Sequence, residues 1–322
     1  MNDTSADTFV DEKYVLHRVK FGLFLFLQIP SITICILILI FLFTNRNFLH
    51  IRRNQGLFIL IVENFIQVTF GFPMVLNFNR LGRVSPATPG YCTWWTFLEY
   101  TLNGAGEFLM TTISIQRHIF IFHSHIFNIR LYRYLFHHLP LAFCIVYPII
   151  LYLIIVVFYP CDGTQWDYTS NACGLANCYL VYNKVLGTYD WAVDNGSPII
   201  IIAIANIVLI VRVVRQKRRR QGYITWKQQR RMTLQLLSIS LLYFIGWFPN
   251  LIIGLIQQIF LPTFLMEIQM DYIFDLTYMI CLLLPWICLG LFPEFTHWIW
   301  KKIFHRNEGR NAVAPTTHFI KQ

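Results

Sequence analysis

Charge is what this sequence has least of. Lys, Arg, Asp and Glu together supply 13% of its 322 residues, about half the share of a soluble globular domain. A water-exposed fold is hard to build from such a chain, and the shortage points to a membrane. Internal repeats and low-complexity linkers are also missing, which argues against a solenoid or a string of domains. The connections are short except for 160–187 and about 215–231. No His-Glu-x-x-His or Gly-x-Ser-x-Gly cluster is present, so neither zinc-protease nor nucleophile-elbow chemistry is expected. No enzyme activity, catalytic residue, cofactor or metal is expected. The amino-terminal stretch is acidic and polar rather than a cleavable leader, so the first helix is expected to direct insertion.

What the sequence has instead is apolar runs. Hydrophobic residues make up 56% of it, and about 20 apolar residues suffice to span a bilayer core. Seven runs qualify: roughly 21–43, 56–79, 93–122, 136–159, 188–214, 232–260 and 270–292. The fifth carries Asp190 and Asp194 in its first part. Runs of this length are helices, not the alternating strands of roughly ten residues that build a barrel. The expected fold is an all-α membrane protein, a seven-transmembrane helix bundle with a short amphipathic eighth helix. Its expected parts are a tail over 1–20, the bundle over 21–292, and the amphipathic helix with a further tail over 293–322.

A formal net charge of +10 raises the question of nucleic acid, but the distribution answers it. Basic residues crowd alternate loops, around Arg52 and Arg53, Arg130 and Arg133, Lys217 to Arg220, and Lys301 onward. Acids such as Asp7, Asp11, Asp162, Asp167, Glu267 and Asp271 hold most of the others. The positive-inside rule then sets the amino terminus outside and the carboxy terminus in the cytosol. Phe295, Trp298, Ile299 and Phe304 alternate with Lys301, Lys302 and Arg306. That pattern reads as a helix lying on the inner leaflet against anionic lipid. A plasma-membrane location and no nucleic-acid partner are expected.

Of eight cysteines, Cys92, Cys161, Cys173 and Cys178 fall in or beside outer loops, whereas Cys35, Cys144, Cys281 and Cys288 lie within helices. Four on the oxidising side suggest two disulfides, with three possible connectivities. The third run holds Glu99, Asn103, Glu107 and Arg117. From Glu99 to Arg117 is 18 residues, five helical turns and about 27 Å. The two charges thus share one face at opposite ends of the bilayer, and charges so placed face the bundle interior. Asp190 with Asp194, and Asp271 with Asp275, are each one turn apart near outer helix ends. If they converge, they make a negative mouth that attracts cations. Pro198, Pro249 and Pro285 each remove a helix hydrogen bond and permit a kink.

Several spacings share one register. Cys92 lies 25 residues before Arg117, Gly246-Trp247-Phe248-Pro249 sits in the sixth run, and Phe295 follows Pro285 by ten residues. Together they resemble the landmarks of rhodopsin-like (class A) G-protein-coupled receptors, in the manner of a divergent orphan member, across nearly the whole chain. Gln116-Arg117-His118 is similar to the Asp/Glu-Arg-Tyr motif. Trp247 and Pro249 match the Cys-Trp-x-Pro switch, with Asn250 beside them. Pro285 matches the proline of Asn-Pro-x-x-Tyr, and Pro198 and Asn206 take the proline and tyrosine positions of the fifth helix.

The resemblance implies an extracellular ligand and a heterotrimeric G protein as partners. It implies that Glu99 holds a ligand ammonium supported by Tyr278, with Asn103, Asp190, Asp194, Trp247 and Asn250 beside it. Arg117, Gln116, His118, Pro249, Pro285 and Asn206 are implied as the switch. The family disulfide is expected as Cys92–Cys178, leaving Cys161–Cys173, with Cys92–Cys173 as the alternative. A retinal-binding member is excluded, since no lysine occurs between Lys227 and Lys301.

The chain departs from the family where Gln116 replaces the acid beside the arginine, Leu284 the asparagine, Cys288 the tyrosine and Gly106 a sodium-binding serine. The departures suggest a weakly restrained resting state with measurable basal signalling. They leave Glu63 and Glu107 as a different polar site. The competing reading is a transporter or channel that relays protons through Glu63, Glu99 and Glu107.

Overall fold

The computed structural model describes residues 3–45, 51–122, 129–161, 165–174, 178–219, 223–291, 295, 296 and 298. Seven long helices follow one another. Helix α1 is Asp3–Thr44. Helix α2 runs from Arg52–Ile66 through a wide turn, Gln67–Gly71, into Phe72–Leu81. Helix α3 is Pro89–Phe122 and α4 is Arg130–Val157. Helix α5 joins Lys184–Tyr189, the wide turn Asp190–Gly196 and Ser197–Arg219. Helix α6 is Tyr223–Ile259, and α7 joins Met266–Ile268, Gln269–Ile273 and Phe274–Leu291.

Six of the seven are long and apolar enough to cross a membrane on composition alone; α3 is not among them. The reason is its polar content, since Glu99, Glu107 and Arg117 all lie on it. Helix α3 packs against α2, α4, α5 and α6, while α1 lies against α2 and α7. An interior position is the only one in which lipid does not meet those charges. Lipid-facing positions elsewhere are filled by large apolar side chains such as Phe26, Phe43, Phe143, Ile154 and Ile204, all exposed on the outside of the bundle.

Polar groups inside the bundle tie helices together through backbone carbonyls. Gln28 on α1 donates to Val68 O at 2.8 Å, within the wide turn of α2. Turns of this kind, with i→i+5 bonding, offer carbonyls that an α-helix keeps to itself. Ser31 donates to Leu282 O, and Asn64 donates to Cys281 O at 3.1 Å. These three bonds link α1, α2 and α7 without charge, which suits a medium where an unmet polar group costs several kcal/mol.

Helix α1 extends unbroken from Asp3, so residues 3–20, read as a tail, prolong the first helix. Its 42 residues measure about 63 Å, twice a bilayer core of about 30 Å. The extension is pinned by ion pairs from Lys20 to Asp275 at 2.8 Å and from Lys13 to Asp271 at 3.7 Å. Lys20 also donates to the Asp271 carbonyl. Asp271 and Asp275, read as contributors to an open acidic mouth, are instead neutralised by α1. The extra turns of α1 bring Lys13 and Lys20 to these acids. Phe295 is fully buried and, with Trp298, packs on Phe41 of α1. Ile299, Lys301, Lys302, Phe304 and Arg306, on which the amphipathic eighth helix was read, lie outside the described residues.

Candidate functional site

At the end of the bundle that carries the disulfides, a narrow cavity opens between the helices. Glu99, Tyr100 and Asn103 form its α3 wall, and Asp190, Trp191 and Asn195 its α5 wall. Trp247 of α6, Phe274 of α7, Tyr152 of α4 and Leu180 of the preceding loop complete it. Concave, mostly aromatic walls with a few convergent polar groups are the usual form of a small-ligand site.

Glu99 is 7% exposed. Its Oε1 accepts from the Tyr278 hydroxyl at 2.8 Å, and its Oε2 has no hydrogen-bond partner among the described residues. Asn171 supports this pair by donating to the Tyr278 hydroxyl oxygen at 3.1 Å. Glu99 also borders a second, smaller cavity with Gln67, Phe72 and Tyr278. Asn103, one turn along α3, accepts from Gln67 of α2 at 2.6 Å.

Asp190 is equally buried and accepts from two tyrosines. Tyr152 reaches Oδ1 and Tyr179 reaches Oδ2, each at 2.9 Å. Neither tyrosine stands out in the sequence, because Tyr179 lies in a loop and Tyr152 is one aromatic among many on a lipid-facing helix. Asp194 does not join the cavity wall. It accepts from Tyr147 at 2.7 Å. The wide turn Asp190–Gly196 explains the separation, because i→i+5 bonding stacks Asn195 rather than Asp194 over Asp190. Asn195 indeed donates to the Asp190 carbonyl at 2.9 Å. Asn250 is likewise off the wall and accepts from Gln269 at 2.9 Å. Thus Glu99, Asn103, Asp190 and Trp247 share one cavity and Tyr278 stands behind Glu99, whereas Asp194 and Asn250 point elsewhere.

The disulfides correct the expected pairing. Cys92 joins Cys173 with Cα atoms 5.7 Å apart, and Cys161 joins Cys178 at 6.2 Å; Cys92–Cys178 and Cys161–Cys173 do not form. Helix α5 starts far ahead of Pro198, so Cys178 sits above α5, where its neighbour Tyr179 holds Asp190. Cys173 sits two residues from Asn171, above Tyr278 and the start of α3. The loop between α4 and α5 therefore supplies a hydrogen bond toward each cavity acid.

The turn around Cys173 is built by Asp167, whose carboxylate accepts from the Thr169 amide and from the Thr169 and Ser170 hydroxyls. Partial burial pushes the Asp167 carboxyl up, but those hydrogen bonds outweigh it and hold the carboxyl below its ordinary value. Ala172 and Cys173 take left-handed backbone conformations, with φ of 51° and 58°. These are uncommon for residues with a Cβ and hold the turn tight against the disulfide.

Deeper in the bundle, Glu107 is fully buried, and neither of its carboxylate oxygens has a hydrogen-bond partner among the described residues. Gly106 beside it lets two other helices approach. A Cβ there would stand 3.0 Å from the Tyr243 hydroxyl of α6 and 3.5 Å from Glu63 of α2. Among the described residues, no three His, Cys, Asp or Glu side chains gather as a metal site.

At the opposite end, Arg117 is buried. Gln116 turns toward α4, donating to Phe136 O at 3.1 Å and His137 O at 3.3 Å. The fully buried His137 ring lies between two amides, with Nδ1 3.1 Å from Gln116 Oε1 and Nε2 2.8 Å from Gln55 Oε1. Gln55, Gln116 and His137 thus join α2, α3 and α4. His137 is the centre of this clasp. His118 donates to Ala205 O of α5 at 2.7 Å, and Asn206 donates to Ile202 O of its own helix at 2.6 Å. Pro249 and Pro285 lie inside α6 and α7.

Seven helices, a disulfide from the head of α3 and a cavity above a tryptophan–proline pair define a helical membrane receptor. The chain matches the family 7 transmembrane receptor (rhodopsin family) over residues 19–287 and belongs to it. Comparison with curated proteins finds no match. Membership makes it a multi-pass membrane protein of a family that signals through G proteins in response to extracellular ligands.

Proposed function

We propose that the disulfide end faces outward and takes a cationic ligand, a biogenic amine or a basic peptide, into the cavity at Glu99. The alternation of basic and acidic loops supports this orientation, as does the oxidising compartment that disulfides need. The observation that carries the ligand class is Glu99 itself. It is a buried carboxylate on the cavity wall with one oxygen unpartnered. Among the described residues no lysine, arginine or histidine pairs with it. Burying such a charge without a counter-ion is unfavourable, and an ammonium entering the cavity removes the penalty.

Trp247 shares that cavity two residues before Pro249, at the point where α6 lacks a backbone hydrogen bond. Ligand contact with the indole swings the lower half of α6. That opens the end around Arg117 to a helix of a heterotrimeric G protein. The test is a panel of amines and basic peptides read by G-protein sensors, run on the wild type and on Glu99→Gln. The variant keeps the shape and loses the charge, so potency should fall by roughly 30-fold or more, the scale of a buried charge pair. Unchanged potency of every activating ligand in Glu99→Gln sinks the proposal. Proton-coupled uptake without G-protein recruitment favours a transporter instead.

A further inference from the structure

The cavity is walled by two carboxylates, not one. Glu99 on α3 and Asp190 on α5 both line it, and both are more than nine-tenths buried. Asp190 accepts from Tyr152 and Tyr179. Each of its oxygens still has one lone-pair direction open. Glu99 Oε2 has no partner among the described residues. A ligand with a single positive charge neutralises one acid and strands the other in a site it has just dried.

Thr111 of α3 donates to Pro198 O of α5 at 3.2 Å, so the two acids stand on neighbouring helices, whose axes are about 8–10 Å apart. Tyr100, Trp191 and Trp247 line the same cavity, offering apolar faces suited to a methylene chain and, near its ends, to cation–π contact.

We propose that the ligand class is a dication, a linear diamine or a pair of spaced basic groups, with one ammonium on Glu99 and the other on Asp190. This rests on the cationic reading of Glu99 but can fail separately from it. The experiment compares putrescine, cadaverine and hexamethylenediamine with butylamine, pentylamine and hexylamine on the full-length receptor. Thermal shift of the purified protein and G-protein recruitment are both read.

The wild type should bind at least one diamine roughly tenfold or more tighter than the monoamine of equal chain length, the scale of one charged hydrogen bond. Affinity should peak at one spacer length. Asp190→Asn should remove the advantage of the diamine over its monoamine, and Glu99→Gln should weaken both. The wild-type comparison needs no variant to fold. Monoamines equal to diamines overturn the dication and leave a single-cation site at Glu99. Silence from diamines and monoamines alike overturns both.

Discussion

At the disulfide end of the bundle, Glu99 and Asp190 are buried with no cation paired to them among the described residues. Tyrosine hydroxyls hold both in place. At the Arg117 end the links between helices are side-chain amides around one buried histidine, in the Gln55–His137–Gln116 clasp. The first arrangement is open to a ligand, because a carboxylate held by hydroxyls still lacks a counter-charge. The second is a polar clasp buried among the helices, its histidine ring held between two amide oxygens.

The contrast can be attacked first through the loop that positions both acids. Cys173→Ser opens a bridge spanning 81 residues, worth about 4 kcal/mol by loop entropy, against about 3 kcal/mol for the 17-residue bridge opened by Cys161→Ser. Melting of the purified receptor should drop further for Cys173→Ser. Equal drops would weaken the assignment of Cys92–Cys173 as the bridge that fixes the cavity roof.

Next comes the cavity wall. A Cβ at Gly254 of α6 would lie 2.5 Å from the Trp191 ring. Gly254→Ala should therefore displace Trp191, lower stability by about 1–3 kcal/mol and reduce ligand potency. Wild-type stability and potency would show that Trp191 moves freely and is not a fixed wall.

The clasp at the other end should respond in the opposite functional sense. His137→Phe keeps the ring volume but strands the Gln55 and Gln116 amides, at roughly 1–3 kcal/mol. Ligand-independent G-protein recruitment should rise, with ligand potency at the far cavity unchanged. A fall in recruitment at normal surface expression would mean that the clasp supports the active arrangement.

The smallest effect belongs to Asp167. Its carboxyl is held below its ordinary value, so its contribution is complete above the ordinary aspartate range, near pH 4, and fades as pH falls through its lower folded value. Hydrogen exchange in the turn 167–174 should quicken below about pH 4, and Asp167→Asn should remove that dependence.

Much of this was legible in advance. Seven helices follow from seven apolar runs, because lipid forces each run to satisfy its own backbone. The interior place of α3 follows from Glu99 and Arg117 sharing a face, since spacing along one helix is a local property. Glu99 with Tyr278, and Trp247 before Pro249, were found where their register put them. Asp194 was misplaced because i, i+4 pairing assumes an α-helix, and the wide turn at Asp190–Gly196 breaks that assumption. The ion pairs of Asp271 and Asp275 were missed because the inward reach of Lys13 and Lys20 depends on how far α1 continues beyond the bilayer.

Sequence alone determined the class of fold, the count of spans and the helix that carries the charges, all of which depend on composition and on spacing within a single helix. Tertiary structure decided which cysteines pair and which tyrosines hold Asp190. It also decided that Gln116 reaches His137, which in turn reaches Gln55, and that Glu99 and Asp190 but not Asp194 face the same cavity. Those outcomes depend on which residues of different helices come level with one another. That alignment is set by packing, wide turns and a folded loop, none of which is written in the spacing of any one segment.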